Sequence, residues 1–227
     1  DMYDMDEIED LYKNYSILNL CNMYIDGTNH DTKTKDVIKE KILTLLNRGV
    51  RGIPARKTEI KEVSHAEASV FLERHHLQGS TVSTIRLGAY HNGKLIALMA
   101  FKTHKEGWDL VRFVNDKRSH PGAFSKLLKA FERQHPGAVI ISFSDNRWSL
   151  GKVYSKNGFE KVGDIEPGYY VTDYKSREHK YNWRKSRIAS RFGVSIEGKT
   201  ELELTLELGY DRIWDCGKIK WRKIATM

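Results

Sequence analysis

One stretch, Asn146-Arg-Trp-Ser-Leu-Gly-Lys-Val-Tyr-Ser-Lys-Asn-Gly-Phe-Glu-Lys-Val-Gly163, constrains what this chain can fold into more than any other. It follows the apolar run Ala138-Val-Ile-Ile-Ser-Phe-Ser144, which reads as a buried strand. It then opens a short helix carrying Tyr154 and turns at Asn157-Gly158 into a new strand at Phe159. A strand, a short helix, a glycine turn and a strand in that order form one unit of a mixed fold, whose apolar sides other elements must cover.

The residues before this unit extend the pattern. Thr58-Glu-Ile-Lys-Glu-Val63 alternates as a strand, and Ser64-His-Ala-Glu67 has the spacing of a capping box opening a helix with Val70, Phe71 and Leu72 on its buried side. Ile85–Tyr90 and Lys94–Phe101 flank His91-Asn92-Gly93, where Asn-Gly supplies the positive backbone angles of a tight hairpin. A strand over Trp108–Val114 leads to a helix over Gly122–Gln134 with Phe124, Leu127, Leu128 and Phe131 on one face. Further strands are expected at Phe159 and near Tyr169. From Thr58 the order is strand, helix, three strands, helix, strand, helix, strand, strand.

Upstream, Val37, Ile38, Ile42, Leu45 and Leu46 recur at helical spacing, and a short element is expected near Ile17–Ile25. Downstream, Thr200-Glu-Leu-Glu203 is a second capping box, and Gly209–Arg222 reads as a hairpin turning at Asp215-Cys216-Gly217. The expected organisation is an N-terminal appendage over 1–54, a main domain over 55–174, and a basic C-terminal extension over 175–227 packed on it.

Charge points to a partner class. The formal net charge is +8, yet the first ten residues hold six acids and no base, so the remainder carries +14. Such an excess favours a polyanion, and nucleic acid, DNA first, is the partner expected. The candidate contacts are Arg147-Trp148, Lys152, and Arg184, Lys185 and Arg187 within the Lys175–Arg191 cluster, which combine cations with aromatic surfaces. Arg86 and Arg112 join them, since charges within strands need a partner or face a cleft; a solvated basic surface is the plainer alternative. No apolar run reaches the ~18 residues of a membrane span, the acidic start does not read as a signal peptide, and Cys21 and Cys216 are the only thiols. A cytoplasmic setting is expected. The histidines lack the fixed spacing of a metal site, so no metal is expected.

The Asn146–Gly163 stretch resembles the C-terminal half of the GNAT acyltransferase superfamily, whose members carry an Asn after the fifth strand, a Tyr on the next helix and a Gly-Phe entering the sixth strand. The fold class implied is α+β, a GNAT-like mixed central sheet flanked by helices. The resemblance implies an acyl-CoA-dependent N-acyltransferase using acetyl-CoA or another acyl-CoA. It assigns Tyr154 as the acid that protonates the leaving thiolate, with Asn146 beside it. A phenol suits that role because it donates a proton without being charged at neutral pH; at this spacing, though, an amphipathic core tyrosine would look the same. The cofactor would lie along Phe113 and Val114, its pyrophosphate on the amides of Gly122, Ala123, Phe124 and Ser125. The family pattern Arg/Gln-x-x-Gly-x-Gly/Ala is altered here, for with Arg118 first, Pro121 and Ala123 stand at the glycine positions, and proline has no amide to give.

Eight segments over about residues 55–220 resemble a phage-encoded group attached to homing endonucleases with a very-short-patch-repair-type nuclease domain. They include His76-Leu-Gln-Gly79, Ile141-Ser-Phe-Ser-Asp-Asn-Arg-Trp148, Tyr154-Ser-Lys-Asn-Gly-Phe159 and Gly209-Tyr-Asp-Arg-Ile-Trp-Asp-Cys-Gly217. The upstream part is too short for a complete nuclease, so a nuclease-domain remnant is the most that the resemblance implies for residues 1–54. Two other readings stay open: a non-enzymatic DNA-binding module that has lost the cofactor, and a virion or partner-binding structural protein.

Overall fold

The apolar run Leu95–Phe101 is buried along its whole length within a strand over Lys94–His104, and the main sheet is built around it. The computed structural model describes residues 32–45, 49–149 and 151–226. The described residues divide into two units, one formed by those up to Asp164 together with 218–226, the other by Ile165–Gly217. The element expected near Ile17–Ile25, the acidic first ten residues, Cys21 and Leu46 lie outside the described residues.

In the first unit the strands are β1 (Glu59–Glu62), β2 (Ile85–His91), β3 (Lys94–His104), β4 (Gly107–Asn115), β5 (Val139–Asp145), β6 (Glu160–Ile165) and β10 (Lys218–Ile224). The helices are α1 (Thr32–Leu45), α2 (His65–His75), α3 (Ala123–Gln134) and α4 (Lys152–Ser155). The sheet order is β1-β2-β3-β4-β5-β10-β6. The β1–β4 neighbours are antiparallel, while β4 and β5 are parallel because α3 carries the chain back between them. Alternation along β3 sends Leu98 and Ala100 to a cluster with Ala68, Phe71 and Leu72 of α2, and Met99 and Phe101 to one with Leu127, Leu128 and Phe131 of α3. Phe101 stacks on Phe131 with ring centroids 3.7 Å apart.

Local signals were realised with one exchange and one miss: Val70, expected on the buried side of α2, is exposed because the helix turns Ala68, Phe71 and Leu72 inward instead. Asn92 and Gly93 take φ of 49° and 74°, as a two-residue hairpin requires. Ser64 Oγ accepts the Glu67 amide (3.2 Å), but the Glu67 carboxylate takes the Tyr90 hydroxyl (2.9 Å), so half of that capping box becomes a tie between α2 and β2. Helix α1 packs through Ile38 against Trp148.

The C-terminal reading is corrected. Residues 175–227 are not one extension: Lys218–Ile224 returns to the main sheet, antiparallel to β5 from Lys218↔Asp145 to Ile224↔Val139. The alternating Lys and Arg of this strand disguise it, yet its inward residue Trp221 is buried. Nor is Gly209–Arg222 a hairpin, because β9 (Asp211–Trp214) pairs with β7 (Tyr169–Thr172) instead. The second unit is thus inserted between β6 and β10, which are neighbours in the sheet.

That unit has its own three-stranded sheet, β8-β7-β9, with β8 at Arg177–His179, and two helices, α5 (Lys185–Phe192) and α6 (Glu201–Glu207). Val171, Trp183, Ile188 and Leu204 form its core. The Thr200/Glu203 capping box is complete at the start of α6.

Candidate active site

Strands β4 and β5 pair over two positions only, Trp108↔Ile140 and Asp109↔Ile141, and then part. The separation has a local cause. Between Ala100 and Phe101 the β3–β4 register shifts, making Val111 an extra residue in β4. Val111 packs towards α2 and Arg112 reaches Gly79 on the same side, as neighbouring residues do at a bulge. A bulge bends its strand, and from there β4 stays with β3 as far as Asn115↔Ala97 and leaves β5. At the branch point Ser142 Oγ lies 2.9 Å from the Leu110 carbonyl oxygen and 3.0 Å from the Tyr154 hydroxyl.

Tyr154 is placed by tight packing beneath this fork. Helix α4 begins after Gly151, whose φ is 76° and whose missing side chain leaves room for Trp221; a Cβ there would lie 2.0 Å from Trp221 Cζ2. The Tyr154 ring stacks on Trp221 (5.6 Å, 13°) and meets Phe124 and Phe159 edge-on. Trp221 Nε1 in turn donates to Ser144 Oγ (2.9 Å). Burial pushes the Tyr154 phenol above its ordinary value of 10, against the pull of the Ser142 hydroxyl. The phenol is therefore protonated at neutral pH. Ser142 has one proton and two acceptors: given to Leu110 it caps a carbonyl at the fork, and given to Tyr154 it steadies a phenolate. Gly151→Ala is expected to cost about 2 kcal/mol, from the positive φ and the overlap with Trp221, measured by urea denaturation; an unchanged midpoint would refute this account of how Tyr154 is held.

At the other end of the fork, Gly122 (φ 80°) caps α3. The loop before it is anchored to the 50–58 segment: Gly52 donates to the Ser119 carbonyl, Ala55 to that of Pro121, and the Lys126 ammonium to the carbonyls of Ala55 and Thr58. A cavity of about 540 Å3 opens here, lined by Arg51, Arg56, Gly122, Ser125, Lys126 and Lys129 among others. Pro121 supplies no amide and Lys126 is already bonded. Exposed Arg51, Arg56 and Lys129 provide the positive charge in their place.

The remaining expected residues divide. Phe113 meets Phe124 edge-on at 5.0 Å, so both line the fork's aromatic wall. Ala123 and Val114 are buried, Val114 against α2, and only their backbones could face a ligand. Ser125 Oγ donates to Asn157 Oδ1 (2.6 Å), while Asn157 Nδ2 holds the Val153 carbonyl; sequence reading had missed Asn157, Ser142 and Trp221. Asn146 is half-buried in the turn after β5, and the Tyr154 hydroxyl bonds Ser142.

Several expected nucleic-acid contacts need correction. Arg147 is buried and bonded to Asp145 (2.7 Å), and Trp148 is buried under α1, so neither offers a surface. Arg86 donates to the Val63 and Ser83 carbonyls and Arg112 to those of Gly79 and Val111, ties that fix loops to the sheet. Lys152, Arg184, Lys185 and Arg187 are exposed.

No family model and no curated protein sequence matches the chain. Solved structures do. The ribosomal-protein-S18-alanine N-acetyltransferase from Escherichia coli is similar at a TM-score of 0.47 and 12% identity, over 75% of this chain and 95% of that one. A GNAT-family acetyltransferase from Bacillus cereus is similar at 0.43 and 13%, over 75% and 99%. The PaiA N-acetyltransferase from Thermoplasma acidophilum, in complex with coenzyme A, is similar at 0.34 and 19%, over 68% and 86%. The mixed seven-stranded sheet, its flanking helices and the branch between its parallel pair make this an α+β fold with a mixed central sheet flanked by helices. Among the described residues no helix is long and apolar enough to cross a membrane.

Proposed function

We propose that the first unit is an acyl-CoA-dependent N-acyltransferase whose acceptor amine lies on or beside nucleic acid. The observation that carries this reading is the fork itself, with a protonated phenol at its base. Bound acyl-CoA supplies an activated thioester. The β4 edge from Val111 to Asn115, left by β5, has backbone groups to pair with an extended amide chain. Arg51, Arg56 and Lys129, with the first-turn amides of α3, would hold its phosphates. Tyr154 delivers a proton to the sulfur that leaves as the amine takes the acyl group, and Ser142 turns its own proton to the phenolate. The amine's surplus proton goes to solvent. The likeness of residues 55–220 to the phage-encoded group supports the nucleic-acid setting.

A second reading, a DNA-binding module without a cofactor, is favoured by Pro121 and by the engagement of Lys126 with Ala55 and Thr58. Calorimetry separates the two. Saturable heat with acetyl-CoA, weakened at least severalfold by Arg51→Ala with Arg56→Ala, is expected of the transferase. No heat at high micromolar acetyl-CoA would reject it.

A further inference from the structure

Charge is segregated along the sequence of the second unit. From Lys175 to Arg191 the chain carries seven lysines and arginines against one acid, Glu178, whereas from Glu197 to Asp215 six acids face two bases. Arg191 is engaged by Glu178 through two bonds of 2.8 and 2.9 Å. Arg184, Lys185 and Arg187 are exposed, and the guanidinium groups of Arg184 and Arg187 lie 4.6 and 4.3 Å from the centre of the Tyr181 ring. Contact with an aromatic ring steadies a guanidinium, which lowers the ordering cost of binding an anion.

Beside these cations runs a row of small donors. Asn182, Ser186 and Ser190 follow one another at four-residue spacing next to Arg187 and Arg191, around a shallow cavity of about 490 Å3. Ser186 and Ser190, one turn apart on α5, are separated by about 6 Å along its axis, and with Asn182 in the short turn before α5 they offer more donors than a single anion needs. Short hydroxyl and amide side chains let that backbone approach closely. The exposed Tyr181 ring is flanked by guanidinium groups. Within Asn182–Arg191 the one aromatic ring, Trp183, is buried, so that face offers no stacking surface of the kind on which single strands are held.

We infer that the Asn182–Arg191 face of the second unit docks on the phosphodiester backbone of a nucleic-acid duplex. The inference rests on the nucleic-acid half of the proposed function and is independent of acyl transfer. Fluorescence anisotropy of a labelled DNA duplex against the full chain tests it. Affinity is expected to fall linearly with salt on logarithmic axes, as counterion release requires. Arg184→Glu with Arg187→Glu should weaken binding by about tenfold or more, since two phosphate contacts become repulsions. Ser190→Glu, which leaves the Tyr181 contacts in place, should weaken it in the same direction, and Glu201→Lys on α6 should not weaken it. Duplex binding by the wild type that both variants retain would overturn this surface alone. A wild type that binds no duplex at low salt would remove the nucleic-acid half of the function as well, and tighter binding of the matching single strand would overturn the duplex assignment.

Discussion

Replacing Tyr154 by phenylalanine is expected to lower the turnover of acyl transfer by about 10²- to 10⁴-fold, the range of a positioned general acid, with little change in acyl-CoA affinity. The substitution removes one oxygen and leaves the ring, so the stack on Trp221 and the edge contacts with Phe124 and Phe159 persist. Ser142 keeps the Leu110 carbonyl as its acceptor, so no buried donor is stranded. The pH profile separates a proton donor from a packing tyrosine. An acid works only while protonated, and burial raises this phenol above 10. The wild type should therefore hold its rate to about pH 10 and lose it above that value, whereas the variant should lack that limb. An unchanged turnover number, or an alkaline limb that survives in the variant, would leave Tyr154 as a core residue only.

How far the sequence could reach follows from the kind of signal each feature carries. The hairpin at Asn92-Gly93 and the α3 stripe of Phe124, Leu127, Leu128 and Phe131 depend on residues close in the chain, and both were read correctly. Strand β10 depends on β5, far away in sequence, and its lysines and arginines looked like an exposed hairpin. The branch between β4 and β5 leaves no mark in the local sequence pattern; the structure supplies its cause, the extra residue Val111. Charge patterns misled where burial decides. Arg147 beside Trp148 resembled a phosphate-binding pair, but Asp145 two residues earlier neutralises the arginine inside the protein. Trp183 sits within the most basic segment and is the centre of a core, because Ile188 and Leu204 complete its apolar surroundings only once the unit folds. Ser142 was hidden in a plain strand, and nothing in its neighbours marks it as the partner of Tyr154.

Asp116→Ala is expected to destabilise the chain by about 1 to 3 kcal/mol near neutral pH, the cost of leaving the buried His120 nitrogen without its acceptor. Asp116 organises the loop between β4 and α3. It accepts His120 Nε2 at 2.9 Å, the Arg118 amide at 3.0 Å and Arg118 Nη2 at 2.8 Å, and the His120 side chain is fully buried. The other His120 nitrogen lies 3.1 Å from the Ile53 carbonyl oxygen, and the ring packs against Gly52, so the carboxylate also anchors the segment leading to Arg56. Burial alone would raise the Asp116 carboxyl, but hydrogen bonds and charge from His120 and Arg118 outweigh it and hold the group well below the usual carboxylate range. A carboxylate depressed on folding contributes stability that is complete above its unfolded value of about 3.9 and is lost as pH falls through its folded value. The gap between wild type and variant should therefore be constant from about pH 5 upward and narrow below about pH 4, read from urea midpoints across that range. A gap that stays the same at acid pH would mean that the lost stability is packing and owes nothing to charge.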